Sequence, residues 1–281
     1  LSPITLALTQ RPQYFSNIIE LITLLSKEQQ DAIWQQKGVN GWYLPFLSAI
    51  YSPHHLPVVM GKVNGSTIKA SIHQTDFNGN GIFEFTANFK PDNLPLLMPI
   101  IQSMPVHERF RLLSRCNKQG DNMLSWVLQQ NSGLIGDVFQ LMKGFSTNQQ
   151  VSLISNTNQQ QQHALGIAYY QDTQLPEHIF HLLEEMSGGD SQAVLAKIPI
   201  STWFDLLSAA CVNQSDFLHF YQSFKAIHLA DKTALCDLLS STDRHRNNLL
   251  MLMIQNNPTL VSLVFRDIKL LPDEKVQRQI T

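Results

Sequence analysis

Apolar residues recur along this chain at helical spacing, in short bursts separated by polar turns. The stretch from Asp121 is the clearest. Met123, Leu124, Val127 and Leu128 fall on one stripe of a helix running to about Gln130. Asp121 or Asn122 can cap it, because a short side-chain oxygen accepts from the exposed first-turn N–H groups. Asn131-Ser132-Gly133 interrupts the pattern. A second helix follows, with Leu134, Ile135, Val138, Phe139, Leu141 and Met142 inward, and Gly144 ends it. Ser146 or Thr147 caps a third short helix bearing Val151, Leu153 and Ile154. Isolated helices under about 12–15 residues are marginal in water. Each of these must therefore cover its stripe with neighbouring helices.

The pattern repeats. Leu47, Ala49, Tyr51, Pro53, Leu56, Pro57 and Met60 align with Phe85, Ala87, Phe89, Pro91, Leu94, Pro95 and Met98 at a constant offset of 38. A weaker copy places Leu175-Pro176, Ile179 and Leu182 on Leu94-Pro95, Met98 and Ile101. Leu112-Leu113-Ser114, Leu153-Ile154-Ser155 and Leu238-Leu239-Ser240 each precede a polar loop. Units starting near Ser2, Gly41, Gly81, Asp121, Gln162, Ser201 and Asn247 fill the chain. The expectation is an all-α fold: a right-handed α-solenoid of about seven stacked units of two to three short helices, forming a single helical repeat domain over 1–281. Asn64-Gly65 could close a β-hairpin within 63–68. The register of the other units favours a turn and a helix, with Ser66 as cap and Ile68 and Ile72 buried. Pro95, Pro99 and Pro105 mark helix starts or kinks, since proline lacks the N–H donor.

Composition narrows the function classes. Only 15% of residues are charged, against about 25% in an ordinary soluble domain. Asn and Gln number 44 and supply the missing polarity; leucine, at 38, supplies the core. A net charge of −2 argues against a nucleic-acid partner. No apolar run reaches the roughly 18 residues of a membrane span. Cys116, Cys211 and Cys236 lie too far apart for a zinc ribbon, and reduced thiols suit the cytoplasm. The N-terminal Leu1-Ser2-Pro3-Ile4 does not read as a secretory signal, and the absence of Met at position 1 suggests a fragment. Asp273 to Arg278 reads as the polar end of a helix.

Motifs for chemistry are weak. His178, His181 and Glu184 share one predicted helix face and could hold zinc, but without the HExxH order they read more simply as a solvated face. His54-His55 sits in a turn beside Pro53. Cys211 and His219 fall in one unit on adjacent helices, yet no protease or G-x-S-x-G context surrounds them. Gly188-Gly189-Asp190-Ser191 lacks the Walker lysine and reads as a helix stop and cap. Asp76, Asn78, Asn80 and Glu84 resemble a calcium loop without its twelfth-position Glu, and read as an inter-repeat turn. No metal or cofactor is expected.

Charge and aromatics point to a binding surface instead. Arg109, Arg111, Arg115 and Lys118 cluster on one third helix and its loop. With Val106, Phe110 and Leu113 inward, His107, Arg111 and Arg115 should face solvent. No Lys or Arg occurs between Lys143 and Lys197, where acidic residues gather. Trp42 and Tyr43 sit at a unit junction; such aromatics are enriched at interface hot spots. Arg109, Arg111, Arg115, His107, Trp42 and Tyr43 are therefore the candidate partner-binding residues.

Gly81-Ile82-Phe83, Ala87, Pro91, Leu94 and Leu96-Leu97 resemble ankyrin repeats. The unit is longer than the roughly 33 residues of that repeat, has a third helix and lacks Thr-Pro-Leu-His. Such degenerate, Gln/Asn-rich repeats are similar to those in effectors of intracellular bacteria of the Legionella type. The resemblance implies a non-catalytic protein–protein interaction module, an effector or a regulator of one. Its partner would be a host protein or another bacterial effector. It implies a chain monomeric when unbound and located in the cytoplasm or secreted into the host cytosol. The alternative is an enzyme with a hydrolase- or transferase-type site in the concave groove.

Overall fold

Short polar residues set where the helices begin. In the computed structural model, residues 2–186, 195–228, 232–243 and 245–268 are described. Among them all regular structure is helical and no strand forms; the only pairings of extended residues are isolated bridges at Lys37–Tyr43, Thr75–Gly81 and Thr242–Asn248. Contacts gather the chain into two compact units, Leu1–Lys118 and Gln119–Thr281.

The first unit holds α1 (Pro3–Gln10), α2 (Phe15–Thr23), α3 (Lys27–Trp34), α4 (Leu44–Tyr51), α5 (Leu56–Lys62), α6 (Gly65–Ile72), α7 (Ile82–Phe89), α8 (Leu94–Gln102) and α9 (Val106–Leu113). They form three triplets of one pattern. After α1, α4 and α7 the chain leaves helical geometry at Arg11, Ser52 and Lys90, with φ of −141°, −148° and −156°. A 3-10 turn led by Pro12, Pro53 or Pro91 follows each. Proline suits that first position because the N–H it lacks would have no helical partner there. Helix α4 packs on both α1 and α7. Ile4, Leu8, Phe15, Trp34, Leu47 and Val59 belong to one buried cluster. Hydrogen bonds also cross between triplets: Ser52 Oγ donates to the Leu8 carbonyl at 2.8 Å, and Asn93 Nδ2 to the Pro53 carbonyl at 2.6 Å.

The second unit holds α10 (Met123–Gln130), α11 (Ile135–Leu141), α12 (Thr147–Ile154), α13 (Ala164–Gln171), α14 (Leu175–Met186), α15 (Ile200–Ala210), α16 (Gln214–Ile227), α17 (Lys232–Ser240), α18 (Leu249–Asn256) and α19 (Thr259–Ile268). Helix α13 packs on α10 and α15, and α15 on α18. Trp203 is fully buried, with Phe180 and Phe224 ring centroids 5.8 and 5.7 Å away. The segment from Asp121 folds as its pattern predicts, with Asn122 accepting from the Ser125 N–H and Ser146 forming a capping box with Gln149. Helices α1, α4, α7, α10, α13, α15 and α18 begin within a few residues of the seven predicted unit starts.

Three local expectations are corrected. Residues 65–72 are helical as preferred, but the cap is Asn64, which accepts from the Thr67 N–H at 2.8 Å; Ser66 is exposed and donates to Asn64 Oδ1. Ile72 is buried and Ile68 only partly so. Pro95 and Pro105 stand at helix starts, as expected, and Pro99 lies inside α8. On α9 the buried stripe is Arg109, Leu112 and Leu113; Val106 is exposed and Phe110 half-buried. Arg109 completes a stripe with Leu112 and Leu113 at i, i+3, i+4, whereas Val106 and Phe110 align with Leu113 alone. An arginine can lay its aliphatic stem along such a face.

Candidate functional site

The segments that lead into the first helices share one build. Residues 35–43, 73–81, 114–122, 155–163 and 241–248 each join a third helix to the next first helix, Arg244 lying outside the described residues. Each carries a left-handed residue at the matching place, Gly41, Gly79, Gly120, Gln161 and Arg246, with φ between 64° and 86°; in the first, Asn40 beside Gly41 is left-handed too, with φ 60°. Three are folded by one side chain. Asp76 Oδ1 accepts from the N–H groups of Asn78 and Asn80 at 2.9 and 2.8 Å. Asn158 Oδ1 does the same for Gln160 and Gln162 at 2.9 and 3.0 Å. Asp243 Oδ1 does so for His245 and Asn247, both at 2.8 Å. The segment that looked like a calcium loop is thus a turn, its Asp76 Oδ1 occupied by backbone N–H groups.

Successive loops also touch within each unit. The Lys118 N–H donates to the Asn78 carbonyl at 2.7 Å in the first, and the Gln159 N–H to the Gln119 carbonyl at 2.8 Å in the second. A methyl group on Gly79 would stand 2.9 Å from Asn117 Cα, and one on Gly120 3.1 Å from Asn158 Cα. Positive φ and this close backbone approach together explain glycine at both places.

The ladder misses a rung before α15. There the chain runs from Leu195 through a tight turn, with the Ile198 N–H on the Leu195 carbonyl at 3.2 Å, straight to Pro199 and Ile200. Between the loops on either side opens a groove of about 720 Å³. Gln160, Gln162 and His163 form one wall and Thr242, Asp243 and His245 the other; Ser201, Asp205 and Ser208 of α15 contribute to the lining between them. Tyr170 and Val212 also line it and are 64% and 65% exposed. Asp205 is fixed: its Oδ2 accepts from the His163 N–H at 2.9 Å and lies 3.8 Å from His163 Nδ1. A methyl on Gly166 would meet that oxygen at 2.2 Å, so glycine makes room for it. Partial burial first, then the Asp205 carboxylate, raises the Tyr170 phenol above its usual pKa. Burial alone would raise the Asp243 carboxyl, but hydrogen bonds from Asn247 and His245 outweigh it and hold the group below the usual range.

A second depression of about 650 Å³ lies along the starts of α14 and α16. His219 Nε2 sits 2.8 Å from Glu177 Oε2 there, and Tyr169 donates to Asp216 at 2.9 Å. His178 and His181 are exposed; the Glu184 side chain and Gly188-Gly189-Asp190-Ser191 lie outside the described residues, as does 273–278. Among the described residues no three His, Cys, Asp or Glu side chains gather closely enough for a metal ion. Burial pushes the Cys211 thiol up to about 12, so it stays protonated at neutral pH.

The sequence-predicted partner-binding residues do not form one exposed patch. His107 and Arg111 are exposed, whereas Arg109 is buried. Arg115 is corrected from a solvent-facing cation: its guanidinium stands 3.8 Å from the buried Glu84 carboxylate and 3.5 Å from the His73 carbonyl. Glu84 in turn accepts from the Gly81 N–H at 2.9 Å, starting α7. Trp42 is half-buried, donates to the Thr75 carbonyl at 3.1 Å and meets Phe46 edge-on at 5.1 Å. Tyr43 is half-buried, its N–H on Gln74 Oε1 at 2.8 Å and its ring 5.0 Å from the Lys37 ammonium. These two therefore tie one loop to the next. The groove residues escaped sequence reasoning. Their signal was the lysine- and arginine-free stretch after Lys143, together with the missing polar turn before Ile200. No family model, curated protein or solved structure matches this chain.

Proposed function

We propose that this chain is a non-catalytic interaction module, a right-handed α-solenoid of about seven units that binds a protein partner through its loops and the groove beside them. The observation that carries the reading is the loop ladder: one turn geometry recurs from Gly41 to Arg246 and is left out before α15, where the groove opens. Repeat proteins present partners with such surfaces because each unit spends its apolar face on its neighbours and leaves its loops to vary. The setting supplied by the sequence resemblance is an effector of an intracellular bacterium, or the regulator of one, acting in host cytosol. The enzyme alternative has less support. The Cys211 thiol is buried and held protonated, and His219 is engaged by Glu177.

The test is affinity capture from host and bacterial lysates with the wild-type chain and two surface variants. His107→Glu with Arg111→Glu alters the exposed part of the cationic helix; Val212→Arg alters the groove rim. Both should melt with the wild type, since exposed substitutions usually move stability by less than about 0.5 kcal/mol. The expected result is a protein enriched by the wild type and depleted at least tenfold by one variant. Enrichment of no protein overturns the reading.

A further inference from the structure

We propose that the groove before α15 is a peptide-binding site that takes an extended segment of a partner protein carrying one Arg or Lys beside an apolar residue. This rests on the interaction reading above and names the partner's chemistry.

Charge complementarity chooses the cation. Among the described residues the lining holds two carboxylates, Asp205 and Asp243, and neither Lys nor Arg. Arg246 is exposed on the same loop as Asp243 and His245 but outside the lining, and Arg244 lies outside the described residues, so Asp205 on α15 is the carboxylate that selects the cation. Asp205 spends Oδ2 on the His163 N–H, while its Oδ1 makes no hydrogen bond to a described residue. A carboxylate whose position is already set by the fold can receive a guanidinium or ammonium without ordering itself first. The charge-assisted bond it makes is stronger than a neutral one. The exposed Tyr170 ring lines the same groove and adds an aromatic surface of the kind that attracts a cation.

The remaining lining chooses a peptide. Gln160, Gln162 and Asn256 present side-chain amides, which donate and accept as a peptide backbone requires. Ser208 lines the groove as well, its Oγ buried and without a hydrogen-bond partner among the described residues. Phe204, Val212 and Leu252 add apolar surface for the residue next to the cation. The groove is partly open to solvent, unlike the pockets that bury most of a small ligand. Its acidic lining disfavours a phosphate backbone, which is bound by Lys and Arg.

The test uses two fluorescein-labelled pools of heptapeptides with Leu at position 3 and Arg or Glu fixed at position 4, titrated with the full chain and read by anisotropy. The Arg pool should bind at least tenfold tighter than the Glu pool, and more weakly as salt rises. Asp205→Asn keeps an oxygen for the His163 N–H but removes the charge; Val212→Arg places a cation on the exposed rim. Each should weaken the Arg pool at least tenfold. Equal binding of the two pools, binding of neither, or Arg-pool binding unmoved by both variants overturns the proposal. Should a lysate partner still be captured by Val212→Arg while neither pool binds, the groove assignment falls and the interaction module stands. If the wild type captures nothing, the module reading falls as well.

Discussion

Asp243 shows how much one side chain carries in this chain. Its Oδ1 closes a loop through two backbone N–H groups, and its Oδ2 takes the Asn247 amide at 3.1 Å. Asn158 closes the equivalent loop with an amide oxygen, so charge is not needed for the geometry. Asp243→Asn should therefore keep most of the stability. Asp243→Ala should lose about 1 kcal/mol or more, as buried or loop-closing hydrogen bonds typically contribute. The pH dependence follows from the lowered pKa of the carboxyl. Its stabilisation is fully present above the ordinary Asp value near 3.9 and is lost as pH falls through the lower folded value. Urea unfolding from pH 2 to 7 should show a shallower acid limb for Asp243→Asn than for the wild type. Parallel limbs would remove the carboxylate from the account. The residue type was visible in the sequence; its shared geometry with Asp76 and Asn158 became visible only in the hydrogen bonds.

At the scale of the element, helix existence was legible and helix detail was not. Asn64 and Ser66 are both good caps, two residues apart, and periodicity does not choose between them. The structure chooses Asn64. Asn64→Ala should cost about 1 kcal/mol, the usual value of an N-cap, and Ser66→Ala less than about 0.5 kcal/mol. Thermal unfolding of the two variants measures the difference, and the reverse order would restore Ser66 as the cap. The same limit produced the error on α9. Its buried face was fixed by what packs on it, so Arg109 went inward where Phe110 was expected. Arg115 then met the buried Glu84 of α7, so charge reversal at Arg115 would set two carboxylates together and test folding rather than binding.

At the scale of the whole molecule, the thiols separate the two functional readings. Cys211 is buried with its pKa pushed up to about 12, while Cys116 is exposed. The thiolate is the reactive form. Iodoacetamide at pH 8 should label Cys116 in the native protein and leave Cys211 intact until denaturant is added, as peptide mass spectrometry would show. Fast native labelling of Cys211 would favour the enzyme alternative. What the sequence determined by itself is the local build: helix starts at capping residues, Pro-led turns at an offset of 38, and apolar stripes too short to stand alone. Those features depend on neighbours within a few residues, and one chain displays them all. Only the tertiary structure decided which cations are spent on internal carboxylates, which loops touch, and that the rung absent before α15 leaves a groove. Those depend on groups some 30 to 80 positions apart meeting in space, and no local pattern records that meeting.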